Sequence, residues 1–203
     1  MGEVNLLKSK QLKLQFKGDR NYLHGSDIYN ETLTWLQLNR GNVQSIDFSF
    51  HLTTSRQLCA IIGVLPEGIH PVAICFFTAN GVREQLYVVE TEFDVIGRYH
   101  YPEEEIAKQI EIDLSTRQCV LLGDVAYTDI ELWVTMAKTL HYKIFPLQSG
   151  KWWFVRGRYP RYESRSQNLK RTLCIVSNFN NKLTRSEVYL DDLIAGEIYF
   201  AIS

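Results

Sequence analysis

Arg20 to Leu38 reads RNYLHGSDIYNETLTWLQL, a polar, histidine-bearing loop that runs into a helix. Gly25 permits the turn, and Ser26 or Asp27 makes a good N-cap. Ile28, Leu33, Trp35, Leu36 and Leu38 cover most of the helix circumference, which is the pattern of a buried helix. Asn39-Arg40-Gly41-Asn42 ends it with turn chemistry. About a hundred residues later the plan returns as DVAYTDIELWVTMAKTL, Asp124 to Leu140. Thr128 to Glu131 is a capping box. Ile130, Trp133, Val134, Ala137, Leu140 and Ile144 form a stripe at helical spacing.

The segments around these helices echo each other too. Asp27-Ile28 recurs as Asp129-Ile130, 102 positions on, and Ser26 recurs as Thr128 at the same offset. AICFFTANG from Ala73 is similar to LCIVSNFNN from Leu173. REQLYVVE from Arg83 is similar to RSEVYLDD from Arg185. Shared order at a near-constant offset points to a duplicated unit, residues 1–98 and 99–203. Each unit reads strand, helix, strands. Gln11 to Lys17 alternates Leu12, Leu14 and Phe16 with polar residues, giving a half-buried strand that puts Lys17 on the polar face. Val43 to Thr54, Gln57 to Leu65, Val72 to Phe77 and Gln85 to Val89 follow, with Asn80-Gly81 as a hairpin turn. Asp94 to Glu105 connects the halves, its three glutamates forming a solvated turn or helix start. Ile106 to Leu122 is a strand pair or one bent strand. Trp152 to Tyr159, Leu173 to Ser177, Ser186 to Leu190 and Glu197 to Ile202 are the later strands.

Composition bounds the function. With 203 residues, 45% hydrophobic and 22% charged, the chain can build a sizeable core. A net charge of −1 gives no global attraction to nucleic acid. Cys59, Cys75, Cys119 and Cys174 lie in apolar strand-like runs without a CxxC pair, so buried reduced thiols in a cytoplasmic protein are expected, with no metal site. No apolar run reaches membrane-spanning length, and the N-terminus lacks the core of a signal peptide.

A unit with one apolar helix and about five strands must bury that helix on one sheet face and protect its sheet edge. Two such units paired edge to edge make one antiparallel sheet around two central helices. This α+β arrangement resembles a tandem (double) hotdog protein of the acyl-thioester dehydratase/thioesterase superfamily, over most of the chain. The resemblance implies binding of an acyl thioester, carried on coenzyme A or acyl carrier protein, near the start of a central helix. It implies dehydratase- or thioesterase-like activity, no separate cofactor and a monomer or homodimer. The helix N-terminus would polarise the thioester carbonyl.

His24 is the leading candidate for proton transfer, as general base or acid. The opposing acid would come from the second half, Asp124 or Asp129, with Glu131 nearby. Arg20, Tyr22 and Ser26 surround His24 as candidate substrate contacts. The Gly-His-Phe-Pro type motif of the bacterial dehydratases is absent, and the position 102 residues after His24 is Ala126, so one working site is expected rather than two. Lys151, Arg156, Arg158, Arg161, Arg165, Lys170 and Arg171 form a basic stretch interleaved with Trp152, Trp153, Tyr159 and Tyr162. Arg156, Arg158 and Arg161 are the candidates to grip a phosphate-bearing carrier. The same stretch also fits single-stranded nucleic acid, the lesser expectation. His51 stands beside Ser49 on a strand face, too far from a relay geometry. His141, at a helix C-terminus, suits the dipole as a cation. The alternative to an enzyme is a non-catalytic interaction or ligand-binding protein on the same fold.

Overall fold

The computed structural model describes residues 8–123, 125–147, 149–163 and 169–202. In chain order the elements are β1 (Lys8–Gln11), β2 (Phe16–Lys17), α1 (Gly25–Arg40), β3 (Val43–Phe50), β4 (Arg56–Ile62), β5 (Ala73–Ala79), β6 (Val82–Asp94), β7 (Arg98–Tyr99), α2 (Glu103–Ala107), β8 (Ile110–Asp113), β9 (Gln118–Leu121), α3 (Asp129–Ile144), β10 (Trp152–Arg161), β11 (Arg171–Phe179), β12 (Leu183–Leu190) and β13 (Leu193–Ile202). Among them no helix is long and apolar enough to cross a membrane. Cys75 and Cys119 are buried and Cys59 and Cys174 half-buried, all as free thiols.

Eleven strands form one antiparallel sheet in the order β1-β4-β6-β5-β3-β10-β13-β12-β11-β9-β8. The halves meet at β3 and β10, where Phe48 faces Gly157, Asp47 faces Arg158 and Ser49 faces Arg156. Period-two alternation sends Ile46, Phe48, Gly157 and Tyr159 to the inner face and Asp47, Arg156 and Arg158 to the outer one. Tyr29 of α1 packs on the inner face, its ring 5.4 Å from Phe48 and 5.6 Å from Tyr159. α3 lies beside α1, with Asn30 Nδ2 donating to Thr128 Oγ1 at 2.8 Å. α3 is buried almost continuously from Asp129 to Ala137. α1 is one-sided: Ile28, Leu33 and Leu36 are buried, but Leu38 is 82% exposed.

Three expectations change. The strand expected over Gln11 to Lys17 splits, because Leu14 bonds the Gln57 side chain through both its N–H and its C=O instead of a neighbouring strand. Phe16-Lys17 then leaves the main sheet and pairs in parallel with Arg98-Tyr99. The alternation fails there, and Lys17 is fully buried. His24, not Ser26 or Asp27, occupies the N-cap position of α1. At the cap its counterpart is therefore Thr128. Finally, the halves are not related by one offset. Outward from the centre the first half runs β3, β5, β6, β4, while the second runs β10, β13, β12, β11. The last two strands have exchanged places. β6 and β12 hold equivalent positions, but β5 and β11 do not. Their similarity is that of two apolar strands entering Asn-containing turns.

His141 also differs from expectation. It is buried on α3 between Trp152 and Phe200, with ring centroids at 4.6 and 5.1 Å. Its Nδ1 lies 2.6 Å from the Ala137 carbonyl, which can only accept, so Nδ1 carries the proton. Nε2 lies 2.6 Å from the Thr184 hydroxyl and accepts its proton, the Phe200 carbonyl at 3.4 Å being the longer alternative. Both nitrogens are satisfied in the neutral ring, and burial lowers the pKa to about 4 from 6.5. As pH falls below 6.5 the unfolded chain takes up this proton before the folded one does. Stability is therefore lost between pH 6.5 and 4, with no further change from this group below 4. Denaturation at stepped pH should give a steeper slope for the wild type than for His141→Gln in this window, by up to about 1.4 kcal/mol per pH unit. Parallel slopes would show that His141 is not held neutral.

Candidate functional site

The start of α1 opens on a cavity of about 700 Å³. Leu23, His24, Gly25 and Ile28 form one wall, and Val134, Lys138 and Tyr142 of α3 another. Phe50 at the end of β3, Trp152 to Phe154 of β10 and Phe200 of β13 close it with aromatic surface. Tyr101 to Glu105, leading into α2, complete the rim. Both halves of the chain thus contribute. The floor is apolar, and the rim carries Asp19, Arg20, Glu103, Glu104, Glu105, Lys108, Lys138 and Lys151. Signs balance at the mouth, so selectivity must come from shape and individual contacts.

His24 is half-buried on the cavity wall. Burial, and then the positive charges of Lys17, Arg20 and Lys138, push its pKa well below 6.5. The ring is neutral at physiological pH. Its Nδ1 lies 2.7 Å from Ser26 Oγ, and Nε2 has no hydrogen-bond partner among the described residues. Behind Ser26 sits the Lys17 ammonium. It donates to Ser26 Oγ at 3.2 Å, Asp27 Oδ1 at 3.0 Å and Glu131 Oε1 at 2.5 Å. The Tyr101 ring lies 4.0 Å from it. Tyr99 donates to the other Asp27 oxygen at 2.8 Å. Glu131 Oε2 meanwhile accepts from the Thr128 N–H at 3.0 Å and its hydroxyl at 2.7 Å, closing the capping box of α3.

Gly25 lines the cavity at the first residue of α1. Backbone N–H groups in the first turn of a helix lack intrahelical acceptors, and those of Asp27 and Ile28 already turn back to the His24 carbonyl. The N–H groups of Gly25 and Ser26 make no such bond within the described residues. A Cβ at Gly25 would stand 3.2 Å from Phe154 and 3.3 Å from Phe50, so the small residue keeps this wall open.

Glu103, on the rim, is held by two cations. Arg20 bonds it at 2.5 Å and Lys138 at 3.0 and 3.1 Å. Burial opposes its ionisation, but Lys138 and Arg20 outweigh that and hold its pKa below the usual value.

The sequence-derived candidates separate. His24, Arg20 and Tyr22 line the cavity. Arg20 is taken up by Glu103 and the Lys17 carbonyl. Tyr22 packs at a tilt against Trp153, ring centroids 4.9 Å apart, with the Lys151 ammonium 5.8 Å from both rings. Ser26 is buried behind His24. Asp124 lies outside the described residues, as does Arg165. Asp129 does not face His24: it is buried against fully buried Arg171, at 2.9 and 3.0 Å, on a second cavity of about 460 Å³ with Trp133 and Tyr159. Arg156 and Arg158 lie on the outer sheet face, bonded to Asp47 at 2.5–2.7 Å and 3.3 Å. Arg161 pairs with Glu163 at 2.6 Å beside the second cavity. The basic stretch is thus dispersed: Arg156 and Arg158 lie on the outer sheet face, Arg161 beside the second cavity and Arg171 buried against Asp129. Sequence reasoning missed Lys17, Glu103 and Lys138. Lys17 sits in an alternating run that marks it polar and exposed, and Glu103 is one of three adjacent glutamates.

No protein-family model matches the chain, and no curated protein matches it by sequence. Its fold does match solved structures. A TesB protein of Mycobacterium avium subspecies paratuberculosis aligns over 100% of this chain and 95% of its own, with TM-score 0.54 and 11% identity. The dehydratase domain of PpsC from Mycobacterium tuberculosis, solved with C12:1-CoA, aligns over 97% and 93%, with TM-score 0.52 and 9% identity. An acyl-ACP thioesterase from Bacteroides thetaiotaomicron aligns over 100% of both chains, with TM-score 0.50 and 10% identity. At these identities the likeness is one of fold. The one long antiparallel sheet around α1 and α3 is a double hotdog, and the chain resembles the thioester dehydratase/thioesterase superfamily in that fold.

Proposed function

We propose that this chain binds an acyl thioester in the cavity at the start of α1 and hydrolyses it with His24 as general base. The observation that carries the reading is a neutral histidine, with one nitrogen unbound, on the wall of a roughly 700 Å³ cavity that has an apolar floor. That volume suits a small-molecule ligand. The acyl chain would lie against Ile28, Val134, Phe154 and Phe200, and the carrier would leave through the rim past Lys108 and Lys151.

In this reaction His24 Nε2 takes a proton from water as the water oxygen attacks the carbonyl carbon. The Gly25 and Ser26 N–H groups stabilise the oxyanion at the positive end of α1. Collapse breaks the C–S bond, and the imidazolium returns its proton to the departing thiolate. The products are a carboxylic acid and a thiol. We favour hydrolysis over dehydration because, among the described residues, α3 brings no carboxyl group to the cavity to act as the acid on a leaving hydroxyl. α3 presents Val134, Lys138 and Tyr142 to the cavity, and Glu103 is held ionised.

The test is release of free thiol from acyl-coenzyme A substrates of graded chain length. His24→Gln should lower kcat by at least about 100-fold. A non-hydrolysable acyl-coenzyme A analogue at 100 times its dissociation constant should add about 2.7 kcal/mol of stability, read as a raised melting temperature. Stabilisation without turnover would support the non-catalytic ligand-binding alternative, and neither effect would remove the thioester reading. The pH profile is a separate check. Because the surroundings favour the neutral imidazole, kcat/KM should hold as pH falls through 6.5 and decline only at more acidic values. An acid limb with its midpoint above 6.5 would contradict His24 as the base.

A further inference from the structure

We propose that Lys17 is a positioning residue which, acting through Ser26 and Asp27, locks His24 in the Nδ1–H tautomer and so leaves Nε2 as a basic lone pair. This deepens the reading of His24 as a base, but it rests on hydrogen-bond accounting that needs no substrate.

Ser26 Oγ has three polar neighbours: Lys17 Nζ at 3.2 Å, His24 Nδ1 at 2.7 Å and Asp27 Oδ1 at 3.1 Å. A hydroxyl brings one proton and two lone pairs. An ammonium can only donate, so Lys17 takes one lone pair. A carboxylate can only accept, so the hydroxyl proton goes to Asp27. One lone pair is left, and His24 Nδ1 must donate into it. If Ser26 donated to His24 instead, Ser26 Oγ and Asp27 Oδ1 would face each other as two acceptors with no proton between them. The Nδ1–H tautomer alone satisfies all three contacts.

Lys17 imposes this in two ways. It occupies a lone pair of Ser26 directly, and it binds the same Asp27 oxygen that accepts the serine proton. Its three N–H groups are all used, on Ser26, Asp27 and Glu131, and it is fully buried, so it cannot turn to another partner. Without it, one lone pair of Ser26 is left without a donor and Asp27 loses the ammonium that holds its Oδ1 beside the serine. The serine hydroxyl is then free to turn from Asp27 and donate to His24 Nδ1. The tautomer of the base is thus set by a residue on β2, with the second helix, through Glu131, holding that residue in place.

The readout is the 15N chemical shifts of the His24 ring, measured at pH 8 on uniformly 15N-labelled protein by long-range proton–nitrogen correlation and assigned with His24→Gln. In the wild type Nδ1 should show the shift of a protonated ring nitrogen and Nε2 that of an unprotonated one. In Ser26→Ala, which keeps Lys17 and its carboxylates, and in Lys17→Met, the two shifts should move toward each other as the tautomers mix. Ser26→Thr, which retains the hydroxyl, should restore the wild-type pattern. Where Lys17→Met does not fold, the serine pair decides alone. An Nε2–H ring in the wild type, or an unchanged Nδ1–H ring in Ser26→Ala, would overturn the proposal. In thioester hydrolysis Ser26→Ala should lower kcat with KM unchanged. Absence of hydrolysis alongside the expected shifts would count against the thioesterase reading and leave the tautomer lock standing.

Discussion

One buried ammonium ties together the first turns of the two central helices. Lys17 sits where the N-termini of α1 and α3 approach each other. Each helix end carries about half a positive charge, so this is a place that should expel a cation. It is tolerated because each helix brings a carboxylate in its first turn, Asp27 from α1 and Glu131 from α3. The Tyr101 ring adds its electron-rich face. Removing one member of such a buried group typically costs about 3–5 kcal/mol, because the others are left uncompensated. The interaction is therefore weak evidence of high stability, although losing any one member is costly.

The two helix starts differ in what their cap positions do. At α1 the cap position is His24, and its polar support runs inward through Ser26 to Lys17. At α3 the cap position is Thr128, spent on the capping box with Glu131. The acid that follows, Asp129, is bound by Arg171, and aromatic side chains line its cavity. A neutral histidine stands at one helix start and a closed ion pair at the other. The exchanged strand order carries the same asymmetry into the sheet.

Much of the architecture was legible because it follows from local rules. The capping box at Thr128 to Glu131, the helical stripe to Ile144 and the alternating strands each depend on near neighbours, and each is present. His24 was legible as a polar residue at a helix entry. What failed depended on partners distant in sequence. Nothing around Lys17 marks it as buried, because its acceptors lie in α1 and in α3, the latter 114 positions away. Arg156 and Arg158 looked like a ligand grip because the outward-facing Asp47 across the β3–β10 seam cannot be read locally. Asp129 looked catalytic because Arg171, which binds it, arrives only with β11.

The long reach of Lys17 also bears on how the protein is made. A chain emerging from the ribosome completes β2 and α1 well before Glu131 is synthesised, so the ammonium waits with only the first helix to hold it. The wall containing Phe154 and Phe200 comes later still. Contacts of such sequence separation form slowly, since a large loop must close first. Until the second half is made, Lys17 lacks one of its two carboxylate partners and the cavity lacks one of its walls. The cavity and the tuned histidine come into being together, only when the last strands have joined the sheet.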